Sequence, residues 1–277
     1  MVAGQFYRQL RAQLREAGIE DDAFEADLML RHVTGKGHLQ YGADEQLTEP
    51  QMQQLVELCR RRAARYPLQY LLGSWPFYGL QLAVGEGVLI PRQDTETVVE
   101  AALALLKDTP APRVLDLCAG TGAIGLALAA NLRGATVTLV ELSPEALGYC
   151  RKNANGRAQV MAADVLGFEA SQPAGGYDCI VSNPPYVTQQ EYEALAPELA
   201  FEPKQALVAP HEGLLFYEYI TAHYRPLLAA GGWLVFEIGA SQRAAVQALL
   251  HQNGYTAVGA AADLAGLDRC VWGQVPG

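Results

Sequence analysis

The chain has 277 residues, half of them hydrophobic, with five dispersed cysteines and a formal net charge of −10 at pH 7. This acidic balance argues against a protein that grips nucleic acid through its phosphates, because such binding needs a clustered basic surface, so no direct sequence-specific binding of nucleic acid is expected. No apolar run reaches the ~18 residues of a membrane helix, and the N-terminus lacks the apolar core of a secretory signal, so we expect no membrane partner. No CxxC pair or His-rich spacing indicates a metal site. We therefore expect a cytoplasmic protein with reduced thiols and no metal.

Residues 1–73 are predicted to form a small helical domain that recognises the substrate. Phe6, Leu10 and Leu14 recur at helical spacing. Thr48 is predicted to cap a further helix at its N-terminus. The arginines at positions 60, 61, 62 and 65 are the densest basic cluster, interpreted as the solvated face of that helix.

Apolar residues at a spacing of two, with glycines between them, predict a β-hairpin linker over residues 74–91. From residue 92 to 277 apolar strands alternate with helices, which favours a parallel sheet covered on both faces. The strands are predicted at residues 114–117, 136–141, 159–161, 177–182 and 233–238.

A glycine-rich turn, Cys118-Ala119-Gly120-Thr121-Gly122, follows the first of these strands. Its glycines allow the backbone to approach a ligand, and such sheets bind ligands at the carboxyl ends of their strands. Glu141 closes the next strand, about 20 residues later, where an acidic side chain can hold ribose hydroxyls. The simpler interpretation is a tight turn that binds no ligand. Because Gly120-x-Gly122-x-x-Gly125 matches the bare dinucleotide pattern, NAD binding is a second alternative.

The tetrapeptide Asn183-Pro184-Pro185-Tyr186 decides between these alternatives. It follows a buried strand and predicts a rigid polar pocket for a flat NH2 group. The oxygens of the Asn183 side chain and the Pro184 carbonyl can accept the two hydrogens, and the Tyr186 ring can lie on the planar group. A nicotinamide enzyme does not need this clamp, whereas a methyltransferase that uses S-adenosylmethionine does.

Asp164 and Val165 follow the third strand and complete the predicted cofactor site. Asp164 is placed to reach the adenine edge, with Val165 lining the ring. The alternative is that Asp164 caps the next helix.

From about residue 5 to its end, the chain resembles the HemK-type (PrmC) release factor glutamine N5-methyltransferases. The resemblance rests on Pro67-Leu68-Gln69-Tyr70-Leu71-Leu72-Gly73, Phe77-Tyr78-Gly79, Pro91-Arg92-Gln93-Asp94-Thr95-Glu96, residues 116–122, Asn183-Pro184-Pro185-Tyr186, Glu202-Pro203 with Ala206-Leu207, Gly213-Leu214, Glu237-Ile238-Gly239 and Asp268-Arg269. The chain departs from the family pattern in Cys118-Ala119 at the start of the glycine turn, in Gln93 where a proline is usual, and in Glu141 where Asp is common.

The resemblance implies an α/β fold, a seven-stranded Rossmann-like sheet with an antiparallel last strand and a helical N-terminal domain joined by a hairpin. It implies that the cofactor S-adenosylmethionine touches Cys118 to Gly122, Glu141, Val165 and Asn183. It also implies that Asn183 to Tyr186 hold the glutamine of the Gly-Gly-Gln motif in peptide-chain release factors.

Three other functions compete with this one. The related ribosomal-protein glutamine methyltransferases share the chemistry, and Asn-Pro-Pro-Tyr also occurs in nucleic-acid amino-group methyltransferases. A catalytically silent binding module is the third, and the intact tetrapeptide argues against it.

Overall fold

The computed structural model describes residues 1–277. Contacts divide the chain into two compact units, residues 1–74 with 196–201 and residues 75–195 with 202–277. The domain limits placed at residues 73 and 91 from the sequence stay a prediction.

The first unit is helical. Its helices are α1 Ala3–Glu16, α2 Asp22–Thr34, α3 Glu49–Ala63 and α4 Leu68–Leu72. The apolar positions predicted at helical spacing, Phe6, Leu10 and Leu14, are all buried in its core. Thr48 caps α3 as predicted, because its side chain accepts from the Gln51 N–H.

The basic cluster of α3 is not a uniformly solvated face. Arg62 is buried, and its guanidinium donates to Glu25 at 2.7 Å and to Glu198 at 3.1 Å. Arg65 reaches the same Glu198 at 3.2 Å. The interpretation as a solvated face is therefore wrong for Arg62, whose charge is paired inside the unit.

The hairpin is shorter than predicted. Its strands are β1 Ser74–Phe77 and β2 Leu80–Ala83, and no strand covers residues 84–91. Val88 and Ile90 are buried where they line a cavity, which explains an alternation of apolar residues that continues beyond the strand.

The second unit is a seven-stranded sheet with helices on both faces. The strands are β3 Arg113–Leu117, β4 Thr136–Glu141, β5 Gln159–Ala162, β6 Tyr177–Ser182, β7 Leu228–Glu237, β8 Thr256–Ala262 and β9 Asp268–Gln274, in the order β5-β4-β3-β6-β7-β9-β8. β9 runs antiparallel to both of its neighbours, and the other adjacent pairs are parallel. The predicted sheet, with its antiparallel last strand, is confirmed.

Five of the six helices in this unit cover the sheet because they present apolar residues to it, whereas the short helix Gln189–Glu193 buries none of its residues. The helices are α5 Glu96–Leu106, α6 Ala123–Asn131, α7 Pro144–Ala154, α8 Gln189–Glu193, α9 Leu215–His223 and α10 Arg243–Gln252. One apolar cluster contains residues of α5, α6 and α7, and a second contains residues of α9 and α10. None of the helices in the structure is long and apolar enough to cross a membrane.

The register of the central strands brings the ends of four strands to one level. Leu117 pairs with Val140 and with Ser182, and Ser182 pairs with Phe236. The next residues along these strands are Cys118, Glu141, Asn183 and Glu237. Four residues that lie far apart in sequence therefore meet at one edge of the sheet.

Candidate active site

A cavity of about 270 Å³ opens in the second unit at this edge. Most of the site residues predicted from the sequence line it, namely Cys118, Ala119, Gly120, Thr121, Glu141, Asp164, Val165, Asn183 and Pro185. Gly122, Pro184 and Tyr186 belong to the same segments but are not among the lining residues. Their predicted contacts with cofactor or substrate stay a prediction.

The glycine turn is built from residues with positive φ. The φ angles of Gly120 and Gly122 are 56° and 82°, which glycine adopts without steric cost, and that of Cys118 is 57°. Gly125 is required for packing, because a Cβ there would run into the side chains of Leu139 and Asp116. The glycines of Gly120-x-Gly122-x-x-Gly125 therefore shape the turn and its contact with the sheet.

Backbone N–H groups orient the carboxylate of Glu141. One oxygen accepts from the Gly120 N–H at 2.7 Å, and the other accepts from the N–H groups of Leu142 and Ser143 at 2.8 Å each. Each carboxylate oxygen has further acceptor capacity. Glu141 is thus held in place at the cavity wall and can still accept from a ligand hydroxyl.

Asp116 is the residue at this end that the sequence analysis did not single out. Its Oδ2 accepts from the Gly125 N–H at 2.8 Å, while its buried Oδ1 has no partner in the protein. Burial raises its pKa to about 7. A single acidic residue in an apolar strand was the available signal, since an unpaired buried carboxyl is costly unless it serves a ligand.

Asp164 does not cap a regular helix at its position. Its Oδ1 accepts from the Leu166 N–H at 2.8 Å, which closes a local turn, and the side chain lines the cavity. The buried side chain of Val165 lies beside it.

At the other end of the cavity, Asn183 is partly exposed and its side chain makes no hydrogen bond within the protein. Pro184 and Pro185 behind it are buried. Its amide is therefore free to bind a ligand.

Tyr186 is fixed by its backbone and by its hydroxyl. Its N–H donates to the Leu207 carbonyl at 3.1 Å, its carbonyl accepts from Gln242 Nε2 at 3.0 Å, and its hydroxyl donates to Glu237 Oε1 at 3.2 Å. A Cβ on Gly213 would run into the Tyr186 carbonyl. The tetrapeptide is thus held at its Tyr186 end through both backbone and side chain.

The segment after the hairpin borders the same cavity. Pro91, Arg92 and Thr95 line it. The Arg92 guanidinium pairs with Glu202, a buried carboxylate that also accepts from the Ile90 N–H at 2.9 Å. The Thr95 side chain makes no capping hydrogen bond at the start of α5.

Several further lining residues were not recognised from the sequence. They are Gly87, Val88, Leu89, Ile90, Ile124, Ala146, Ala163, Leu166, Gln205, Ala206 and Phe216. Most are apolar, and nothing in an apolar side chain distinguishes a cavity wall from a core position in sequence.

Comparisons with known proteins agree with these features. The chain matches the PrmC N-terminal domain over residues 5–73 and the Methyltransferase small domain over residues 95–217. A Vibrio cholerae protein named Release factor glutamine methyltransferase is 40% identical over 268 residues, 95% of this chain and 93% of that protein. An Escherichia coli K12 protein of the same name is 36% identical over 274 residues, 96% of each chain.

A solved structure shares the fold. The hMettl16 catalytic domain, solved in complex with MAT2A 3'UTR hairpin 6, aligns with a TM-score of 0.57 over 84% of this chain and 86% of that chain. At 16% identity, this likeness concerns the fold alone.

Proposed function

Because the chain belongs to the release factor glutamine methyltransferase family, we propose that it transfers a methyl group from S-adenosylmethionine to the side-chain amide nitrogen, N5, of the glutamine in the Gly-Gly-Gln motif of release factors. The single observation that carries this proposal is a likeness to curated relatives over nearly the whole chain, from the helical unit to the last strand. The fold and the cofactor class follow from the same relatives and from the methyltransferase domain match.

The cavity is lined by carboxyl groups that suit the cationic S-adenosylmethionine. When bound, this cofactor supplies an electrophilic methyl group on a cationic sulfur. The unpartnered Oδ1 of Asp116 and the carboxylate of Glu141 give the cavity negative charge for a cationic ligand. Glu141 would accept from the ribose hydroxyls, and Asp164 and Val165 would meet the adenine.

The acceptor amide would bind at Asn183. The Asn183 side-chain oxygen and the Pro184 carbonyl would accept from its NH2 group, and Pro185 brings no competing N–H donor. These bonds draw electron density toward the amide nitrogen and hold its lone pair toward the methyl donor. Positioning of this kind can supply up to roughly 7–11 kcal/mol of the barrier.

The remaining residues of the tetrapeptide would exclude water and fix the amide plane. Tyr186 would lie against the amide face. The amide keeps both protons until the methyl group arrives; the one proton that its nitrogen then releases, during or after transfer, passes to bulk solvent. Asn183, Pro184 and Tyr186 are thus the proposed catalytic residues.

The helical unit is proposed to recognise the release factor. The match to the PrmC N-terminal domain supports this role. A cytoplasmic location is proposed too, and all five cysteines being unpaired is consistent with it. The net charge of −10 supports the further proposal that the protein does not bind nucleic acid in a sequence-specific way.

Mass spectrometry tests the proposed function. The protein is incubated with S-adenosylmethionine and a purified release factor, and the Gly-Gly-Gln peptide is searched for the mass of one added CH2 group. Ribosomal protein and nucleic acid serve as parallel substrates. We expect the modification on the release factor glutamine; modification of ribosomal protein or nucleic acid alone would replace the proposal with one of its competitors.

A further inference from the structure

Glu237 ends β7 at the acceptor end of the cavity, where no cofactor or substrate role has been assigned to it. Its side chain is buried, with 3% of the residue exposed. The register places it level with Asn183, because Ser182 pairs with Phe236. A carboxyl group therefore lies inside the protein next to the tetrapeptide that we assign to the substrate amide.

The hydrogen bonds of Glu237 point to Tyr186. Its Oε1 accepts from the Tyr186 hydroxyl at 3.2 Å, whereas its buried Oε2 has no hydrogen-bond partner in the protein. Burial raises the pKa of the Tyr186 phenol well above its ordinary value, and the negative charge of Glu237 raises it further. The phenol thus keeps its proton and remains a donor to the carboxylate.

Glu237 stands in a mixed electrostatic environment. Burial raises its pKa to about 6, against the lowering effects of the Thr95 hydroxyl, the Arg269 guanidinium and the Tyr186 hydroxyl. The titratable and charged groups that face it come from four elements: Asp94 ahead of α5, Tyr186 after β6, Tyr217 on α9, and Arg269 and Cys270 on β9. At neutral pH the carboxyl is therefore mostly ionised, although it is buried.

The buried carboxylate of Glu237 lowers the free energy of unfolding. A buried carboxylate with one unpartnered oxygen is destabilising compared with a neutral side chain of the same shape. Arg269 does not depend on Glu237 for compensation, since it also pairs with Asp263 at 3.1 Å and Asp94 at 3.5 Å. Fold stability alone does not account for a carboxylate at this place.

We propose, on the basis of the proposed function, that Glu237 is a positioning residue for the methyl acceptor. The carboxylate of Glu237 holds the Tyr186 hydroxyl and so fixes the tyrosine ring against the glutamine amide. The backbone of Tyr186 is already held by Leu207 and Gln242. The remaining freedom of the residue is rotation of its side chain. The bond to Glu237 removes that freedom.

Four proteins test the proposal: the wild type, Glu237→Gln, Tyr186→Phe and the double variant. Each is assayed for release factor methylation at saturating S-adenosylmethionine, for cofactor affinity by calorimetry and for thermal stability. We expect each single variant to lower kcat roughly tenfold, which corresponds to ~1.4 kcal/mol. The double variant should be no slower than the slower single variant, because Tyr186→Phe removes the bond whose negative charge Glu237→Gln removes.

A structural role and a positioning role predict different stabilities. Glu237→Gln is expected to fold at least as stably as the wild type, since it removes a buried charge, and to keep its cofactor affinity. The wild-type kcat should fall as the pH drops through about 6, where Glu237 takes up a proton, and this acid limb should be missing in Glu237→Gln. Activity lost in proportion to a lower Tm, or additive effects in the double variant, would overturn the proposal.

Asp263→Asn is the matched control. Asp263 is also a buried carboxylate; it pairs with Arg269, which faces both Glu237 and Tyr186 and keeps Asp94 as a second partner. This variant should be less stable and keep the wild-type kcat and acid limb. If the wild type methylates no release factor, the proposed function fails; if it does and Glu237→Gln retains the wild-type kcat and pH profile, only the present inference fails.

Discussion

The cofactor end and the acceptor end of the cavity hold their carboxylates by different means. At the cofactor end, three backbone N–H groups donate to Glu141, two from the residues that follow it and one from Gly120, 21 positions away. At the acceptor end, Glu237 accepts from the side chain of Tyr186, 51 positions away. Backbone donors orient the first group, and a side-chain donor orients the second. Substitutions at the two ends should accordingly change different steps, cofactor binding at one and turnover at the other.

Asn183→Ala should have the largest effect of the changes at the acceptor end. It removes a side-chain oxygen that makes no bond within the protein, so folding should be unaffected while the amide loses its orientation. We expect kcat to fall about a hundredfold or more, the scale of a misplaced reactant, with unchanged affinity for S-adenosylmethionine. Single-turnover kinetics and calorimetry measure the two quantities.

A matched control for this variant is Asn131→Ala. Its side chain donates only to the Ala127 carbonyl in its own helix. The control should keep full activity. Near-normal turnover in Asn183→Ala would contradict the assignment of the acceptor end.

Asp116→Asn should weaken cofactor binding and leave turnover at saturation nearly intact. The asparagine can still accept from the Gly125 N–H but carries no charge for a cationic ligand. A lost charge-assisted contact of about 1.5–3 kcal/mol raises the Kd roughly 10- to 150-fold. Because the pKa of Asp116 is about 7, wild-type affinity should increase as the pH rises through 7, and calorimetry across this range should show no such rise in the variant.

The stability of the apo protein provides an independent check on Asp116. Folding raises the pKa of Asp116 to about 7, so between its ordinary pKa and 7 this carboxyl keeps its proton in the native state while the unfolded chain has lost it. Its contribution to the free energy of unfolding therefore decreases as the pH rises from its ordinary pKa toward 7. Urea unfolding should show this decrease in the wild type and not in Asp116→Asn; the same slope in both proteins would exclude Asp116 as its source.

The same contrast explains what could be predicted from the sequence. Glu141 and the glycine turn were found because their partners are local: a strand, a turn and an acidic residue follow one another along the chain. Glu237 appeared in the apolar strand 233–238 and in the Glu237-Ile238-Gly239 segment of the resemblance, but no role was predicted for it. Its meeting with Tyr186 depends on the register of β6 and β7, which no local pattern reveals.

Prediction of the strands also depended on whether the signal was local in the sequence. Five strands were predicted from apolar runs, whereas β8 and β9 followed only from the family resemblance. β8 is an edge strand rich in alanine and glycine, and Gly259 lies where a Cβ would run into the Trp272 ring. Small residues chosen to accommodate a neighbour on another strand carry no periodic signal.

Glu141→Gln should have a smaller effect than Asp116→Asn. The amide oxygen can replace only one of the two acceptor atoms that now bind three N–H groups. The expected result is a roughly tenfold weaker affinity for S-adenosylmethionine, about 1.4 kcal/mol, with kcat at saturation unchanged. Fluorescence or calorimetric titration measures it. A fall in kcat at saturating cofactor would instead mean that Glu141 orients the reacting groups.

Ser182→Ala should have the smallest effect, and it tests whether the two ends are independent. The Ser182 hydroxyl donates to the Leu117 carbonyl at 2.8 Å, so it joins the strand before Asn183 to the strand before the glycine turn. Loss of this buried bond should lower the free energy of unfolding by about 1 kcal/mol, measured by urea unfolding. If backbone pairing of β3 with β6 suffices to align the two ends, cofactor Kd and kcat will both stay at wild-type values. A coupled change in both, beyond the loss of stability, would show that this hydroxyl transmits position from one end of the cavity to the other.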